Sequence, residues 1–113
     1  MKKEEKPFCP VALTVELIGN KWKLLIVRDL THGTRRFGQL RQSIGNISQK
    51  VLTQNLRDME KDGLVLHKVY AEVPPRVEYR LSKIGQELTS VIETLAQWGT
   101  KYRKATTKRQ KRQ

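Results

Sequence analysis

Residues 46–64, NISQKVLTQNLRDMEKDGL, constrain the chain more than any other stretch, because they read as a helix with two unlike faces. From about Ser48 to Asp62, Val51, Leu52, Leu56 and Met59 fall at i, i+1, i+5 and i+8, one apolar stripe for a core. The opposite face carries Gln49, Lys50, Thr53, Gln54 and Arg57. Apart from its cations this face is uncharged, built of amides and a hydroxyl that both donate and accept hydrogen bonds. The acids Asp58, Glu60 and Asp62 come only in the last turns, although the helix dipole favours acids in the first. A basic, amide-rich leading half suits a helix whose N-terminal end enters a major groove beside phosphates and base edges. The plainer reading of the same pattern is an ordinary solvated face.

The flanking segments supply a frame for that helix. Asn20 is placed to cap a helix from Lys21 to about His32, with Trp22, Leu25, Ile26 and Leu30 as its core stripe and Gly33 as its stop. Arg35, Arg36 and Phe37 make a short extended or turn segment. In FGQLRQSI, Phe37, Leu40 and Ile44 repeat at helical spacing, and Gly45-Asn46 form the turn into the next helix. Two short helices across a tight Gly-containing turn make a helix-turn-helix. After Asp62-Gly63, LVLHKVYAEV has the β-branched and aromatic bias of a strand, and Pro74-Pro75 break it. RVEYRL then alternates, Val77, Tyr79 and Leu81 inward and Arg76, Glu78 and Arg80 outward. A helix pair followed by a two-stranded wing predicts a mainly α fold with a small β-hairpin, the winged helix-turn-helix.

The two ends of the domain are more apolar than one small core requires. From Pro10, VALTVELIG is polar only at Thr14 and Glu16, so such a helix must be covered on more than one side. The last helix, from Ser82 to about Arg103, places Ile84, Leu88, Val91, Leu95, Trp98 and Tyr102 at heptad spacing. About 20 residues of helix span ~30 Å, more than a small core covers. Val11 and Val15 of the first helix and the heptad residues of the last are therefore the expected dimer seam.

Composition narrows the function. The 113 residues make one domain with a single modest core. Lys and Arg number 23 against 11 Asp and Glu, a net charge of +12. Seven of the cations lie in residues 101–113, which hold no acid, so residues 1–100 carry sixteen cations against eleven acids. That excess points to a polyanionic partner, nucleic acid or an anionic membrane surface. No apolar run approaches the ~18 residues of a membrane span, and no signal-peptide core opens the chain, so a cytoplasmic protein is expected. A single cysteine excludes an intramolecular disulfide, and His32 and His67 are too far apart for zinc-ligand spacing. With no Gly-rich phosphate loop, no HExxH and no nucleophile–base pair, neither an enzyme nor a cofactor or metal site is expected.

Six blocks then resemble one family: CPV at 9–11, IGNKWKLLIV at 18–27, GTRRFGQLR at 33–41, ISQKVLTQNLRDMEKDGLV at 47–65, VYAEVPPRVEYRLSKIGQEL at 69–88 and AQWG at 96–99. In this order, over about residues 8–100, the chain resembles the HxlR-type branch of winged-helix bacterial transcription regulators. The resemblance implies a homodimer, built largely through the first and last helices, on a near-palindromic operator in double-stranded DNA. It also implies a recognition helix at Ser48–Asp62 and a wing at about Lys68–Arg80. Two copies would present their helices to successive major grooves ~34 Å apart. Residues 1–8 are expected as a disordered arm, 9–103 as the domain with its dimerisation helices, and 104–113 as a basic disordered tail.

Roles follow from side-chain chemistry. Gln49, Lys50, Thr53 and Gln54 are the expected base readers, since Gln pairs with adenine and Lys donates to guanine. Ser48 and Arg57, with Arg35, Arg36 and Arg41, are expected on phosphates, which position the protein without reading sequence. In the wing, Lys68 and Arg76 are candidates, Arg76 for the minor groove, where width is read rather than a base code. The alternative for Arg76 is a cross-strand ion pair with Glu72 or Glu78. Some HxlR-type regulators carry a cysteine at the start of the first helix and use it to sense oxidants or electrophiles. Cys9 occupies that position near Lys6, and the alternative is a small residue buried at the dimer seam. The expected function is a sequence-specific regulator, a repressor as the commoner case. The competing reading is a non-specific or architectural nucleic-acid binder driven by the basic surface and tail.

Overall fold

Local signals set most of the helix ends. The computed structural model describes residues 8–112, with side chains through Thr107. Cys9 and Pro10 open α1 (Pro10–Ile18), and the Asn20 side chain accepts the Lys23 backbone N–H at 2.8 Å to open α2 (Lys21–Leu30). The short strand β1 (Arg35–Arg36) leads directly into α3 (Phe37–Ile44), and Gly45 and Asn46, both at positive φ, turn the chain into α4 (Gln49–Lys61). At the far end of α4, Gly63 adopts φ 78°. Its N–H bonds the Glu60 carbonyl and that of Leu64 bonds Met59, a Schellman stop that only a residue tolerant of the left-handed region closes without strain. The hairpin β2 (Val65–Tyr70) and β3 (Arg76–Leu81) follows, then α5 (Lys83–Gln86), capped by Ser82, and α6 (Leu88–Arg112).

The core gathers around α2, which packs against α3, α4, α6 and β3. Ile18, Ile26, Val27, Leu30, Leu40, Leu52, Leu56, Met59, Leu64, Val65 and Leu81 are all buried in it. The stripe expected on α4 is observed, with Leu52, Leu56 and Met59 buried and Val51 half-buried. On α2 the expected stripe needs one correction. Val27 belongs to the buried core and Leu25 does not, because α2 is covered by helices on several sides and its buried arc is wider than one stripe.

The sheet holds a strand more than the hairpin the sequence pattern predicts. Among the described residues its order is β1-β3-β2, antiparallel, with Arg35 opposite Tyr79 and Arg36 opposite Glu78. Two residues cannot show a period, so only the pairing with β3 makes them a strand. In the hairpin Val65, His67 and Val69 stand opposite Leu81, Tyr79 and Val77, the face turned toward α4.

The expected disordered tail is also corrected where it is described. The final helix is continuous from Leu88 to Arg112, separated from α5 by a single turn residue, Glu87. Once a helix has started, each added residue gains a bond, and Ala, Lys, Arg and Gln extend it at low cost. Thr106 adds hydroxyl bonds to the Tyr102 and Arg103 carbonyls, both at 3.1 Å. The N-terminal arm expected at 1–8 lies outside the described residues except for exposed Phe8. Among the described residues no helix is long and apolar enough to cross a membrane.

Gly85 is fixed by close approach, since a Cβ there would lie 2.3 Å from the Leu64 carbonyl oxygen. Gly85→Ala is therefore expected to cost about 1–3 kcal/mol of stability through overpacking. Urea unfolding checks this, the midpoint falling while the slope stays unchanged.

Candidate nucleic-acid interface

The side of α4 away from the core is held out by contacts on the buried side. Asn55, itself buried, donates from Nδ2 to the Val51 carbonyl at 2.8 Å and accepts from Asn20 Nδ2 at 3.2 Å. Lys23 Nζ lies 3.7 Å from Asp58 Oδ2. The Asn20–Asn55 bond and the Lys23–Asp58 ion pair join α2 and its cap to α4 beside the apolar contacts and fix the rotation of α4 about its axis. Gln49, Lys50, Gln54 and Arg57 are exposed as a result, and Thr53 is half-buried next to them. Gln54 donates to Asp58 Oδ1 at 3.0 Å, which keeps its carbonyl oxygen and second N–H free. Ser48 caps the helix, its Oγ accepting the Val51 N–H at 3.1 Å while its own hydrogen remains available to an acceptor.

Beyond α4 the expected phosphate residues have distinct surroundings. Arg41 Nε donates to the Ile47 carbonyl at 3.1 Å, bridging the turn between α3 and α4. Arg35 Nη1 bonds the Thr34 carbonyl at 3.0 Å, and Arg36 is exposed at the start of α3. Lys68 is exposed, its Nζ 4.9 Å from the Tyr70 ring centroid. For Arg76 the structure has the ion pair and not a free wing arginine. Its Nη2 lies 3.0 Å from Glu72 Oε2, its Nη1 3.5 Å from Glu78 Oε2, and its guanidinium carbon 3.9 Å from the Tyr70 ring centroid. Two carboxylates and an aromatic face engage the two terminal nitrogens and the guanidinium plane, while Nε is buried without a hydrogen-bond partner, so Arg76 braces the hairpin where its strands meet the 71–75 loop.

Between α4 and the hairpin is a cleft of about 570 Å³, lined on the helix side by Thr53, Arg57, Glu60 and Lys61 and on the strand side by His67 and Tyr79. His67 Nδ1 lies 2.5 Å from Glu60 Oε2 and joins the end of α4 to β2. The Tyr79 hydroxyl is pushed above the ordinary phenol range by burial and by the Glu60 charge, with Arg57 opposing. Sequence reasoning did not find this cluster, because nothing in the spacing of Glu60 and His67 shows that the turn at Gly63 folds one onto the other.

At the other end, exposed Cys9 is the N-cap of α1, its Sγ accepting the Ala12 N–H at 3.4 Å; Lys6 lies outside the described residues. Of the expected seam, Val11 and Val15 on α1 and Ile84, Leu95, Trp98 and Tyr102 after the wing are exposed, Val11 by 72% and Trp98 by 63%. Leu88 and Val91 are instead half-buried against the core, where the start of α6 meets α2. Trp98 and Tyr102 stack with ring centroids 5.3 Å apart.

The model of the HxlR-like helix-turn-helix family matches residues 17–107 of the chain. The chain belongs to that family. Among similar proteins is the helix-turn-helix transcriptional regulator YtcD of Bacillus subtilis (strain 168), 46% identical over 92 residues, 81% of this chain and 73% of YtcD. The redox regulator HypR in its reduced form superposes with TM-score 0.82 at 36% identity, covering 88% of this chain and 99% of HypR. Reduced YodB, a transcriptional regulator of B. subtilis, gives TM-score 0.70 at 33% identity over 80% of this chain and 90% of YodB. An HxlR-type chain of this kind is a transcriptional regulator with a DNA-binding fold and not an enzyme.

Proposed function

We propose that two copies of the chain bind a near-palindromic operator, repress transcription from it, and release it when Cys9 is oxidised. The observation that carries the reading is the exposed amide-and-cation face of α4, held rigidly by the buried face behind it. In this reading Gln49, Lys50, Thr53 and Gln54 read base edges. Ser48, Arg35, Arg36, Arg41 and Arg57 hold phosphates, and Lys68 reaches toward the minor groove. The exposed apolar side chains of α1 and α6 support a dimer, since side chains this large and this many stay uncovered on few lone domains. Residues 9–103 form the working unit, in the cytoplasm.

The thiol reading is supported by two features. Cys9 is exposed at the start of the helix that carries Val11 and Val15, and the similar proteins include a redox regulator, HypR. Oxidation of two Cys9 thiols to one disulfide transfers two electrons and two protons to the oxidant, and a small thiol serves equally as the second partner. Either product would shift α1 in the dimer and so the spacing of the two α4 helices.

Two variants test these assignments. Lys50→Ala is expected to cost ~1–3 kcal/mol on the operator and little on unrelated duplex, read by fluorescence anisotropy. Equal loss on both would favour the non-specific reading, in which the basic end of α6 supplies the binding. Cys9→Ser is expected to keep operator binding in diamide or a quinone while the wild type releases it; equal loss from both proteins would end the sensor role.

A further inference from the structure

Thr53 and Arg57 are shared by the base-reading face of α4 and the cleft beside the hairpin, so the cleft opens on the side that would meet DNA. Adjacent major and minor grooves of a duplex are separated by one sugar–phosphate strand. If α4 lies in the major groove and the wing reaches the minor groove, that strand passes between α4 and the β2–β3 hairpin. Arg57 and Lys61 line this passage. One group opposes a phosphate there: Glu60, seven residues after Thr53 on the same face, with a side chain about one-third exposed. Its carboxylate is engaged by His67 Nδ1 from the opposite wall of the cleft.

We propose that the cleft seats one sugar–phosphate strand of the bound duplex, with Arg57 and Lys61 on its phosphates and His67 masking the carboxylate of Glu60. This rests on the α4-in-groove reading above, and it assigns Glu60, Lys61 and His67 roles in affinity with none in base choice.

The test is the dissociation constant for operator and for unrelated duplex, measured across a salt series, for the wild type, Lys61→Gln, Glu60→Gln, His67→Ala and the Glu60→Gln/His67→Ala double variant, with Lys50→Ala as control. Lys61→Gln is expected to weaken both duplexes alike and to lower the salt slope by about one. Glu60→Gln is expected to tighten both about fivefold. His67→Ala is expected to weaken both, and that loss should vanish in the double variant. A bridge that merely holds the hairpin would weaken with either single change, so a loss in Glu60→Gln overturns the masking role. Equal loss from His67→Ala in both backgrounds also overturns it, making His67 a direct contact. If Lys61→Gln and Glu60→Gln change nothing while Lys50→Ala still removes operator preference, the seat is wrong and the α4 reading stands. If the wild type prefers no duplex, the α4 reading fails and takes the seat with it. Competition by inorganic phosphate at fixed ionic strength, with no slope change in Lys61→Gln, assigns the cleft to a small anion and overturns the strand.

Discussion

The packing of α4 against α2 sets what the rest of the molecule can present. Leu52, Leu56 and Met59 are each at most 1% exposed. Burying a side chain of this size contributes roughly 1.5–3 kcal/mol. That attraction has no preferred direction, however, and would by itself allow the helix to roll. The Asn20–Asn55 hydrogen bond removes that freedom, because hydrogen bonds weaken steeply with angle, and the Lys23–Asp58 ion pair adds a second tie between the two helices. A buried asparagine in an apolar interface is costly unless it is satisfied, and both ends of Asn55 are. The outward face is therefore fixed in azimuth by bonds on the inward one.

The same neighbours handle the charge of α4. Its acids come late, and two are paired: Asp58 with Lys23 of α2 and the Gln54 amide of its own helix, Glu60 with His67 of β2. What stays bare in the leading half is Gln49, Lys50 and Ser48, at the helix end where the backbone N–H groups already favour anions. The wing repeats the device, with Glu72 and Glu78 consuming Arg76 against Tyr70. Charge that could have reached toward a partner is spent there on stiffening the hairpin.

Much of this was legible in the chain. The period of Leu52, Leu56 and Met59, the cap at Asn20, the stop at Gly63 and the Pro-broken hairpin are local signals, and each appears where its chemistry puts it. The features that escaped depend on partners distant in sequence. Arg35-Arg36 is a strand only because β3 lies beside it, Val27 is buried only because several elements cover α2, and His67 meets Glu60 only because the chain reverses at Gly63. Residues 104–112 escaped for a different reason: a segment without core-forming residues reads as unstructured, yet a helix already formed upstream extends through it.

The apolar side chains of α1 and α6 that the core leaves bare are what the proposed dimer would cover, since a single α4 would read only half of a twofold site. The measurement that bears most directly on this is selection of bound sites from a random duplex library by the purified protein, repeated with an oxidant. The account predicts an enriched inverted repeat with half-sites one helical turn apart, lost on oxidation. Recovery of sequences with no shared half-site would contradict it.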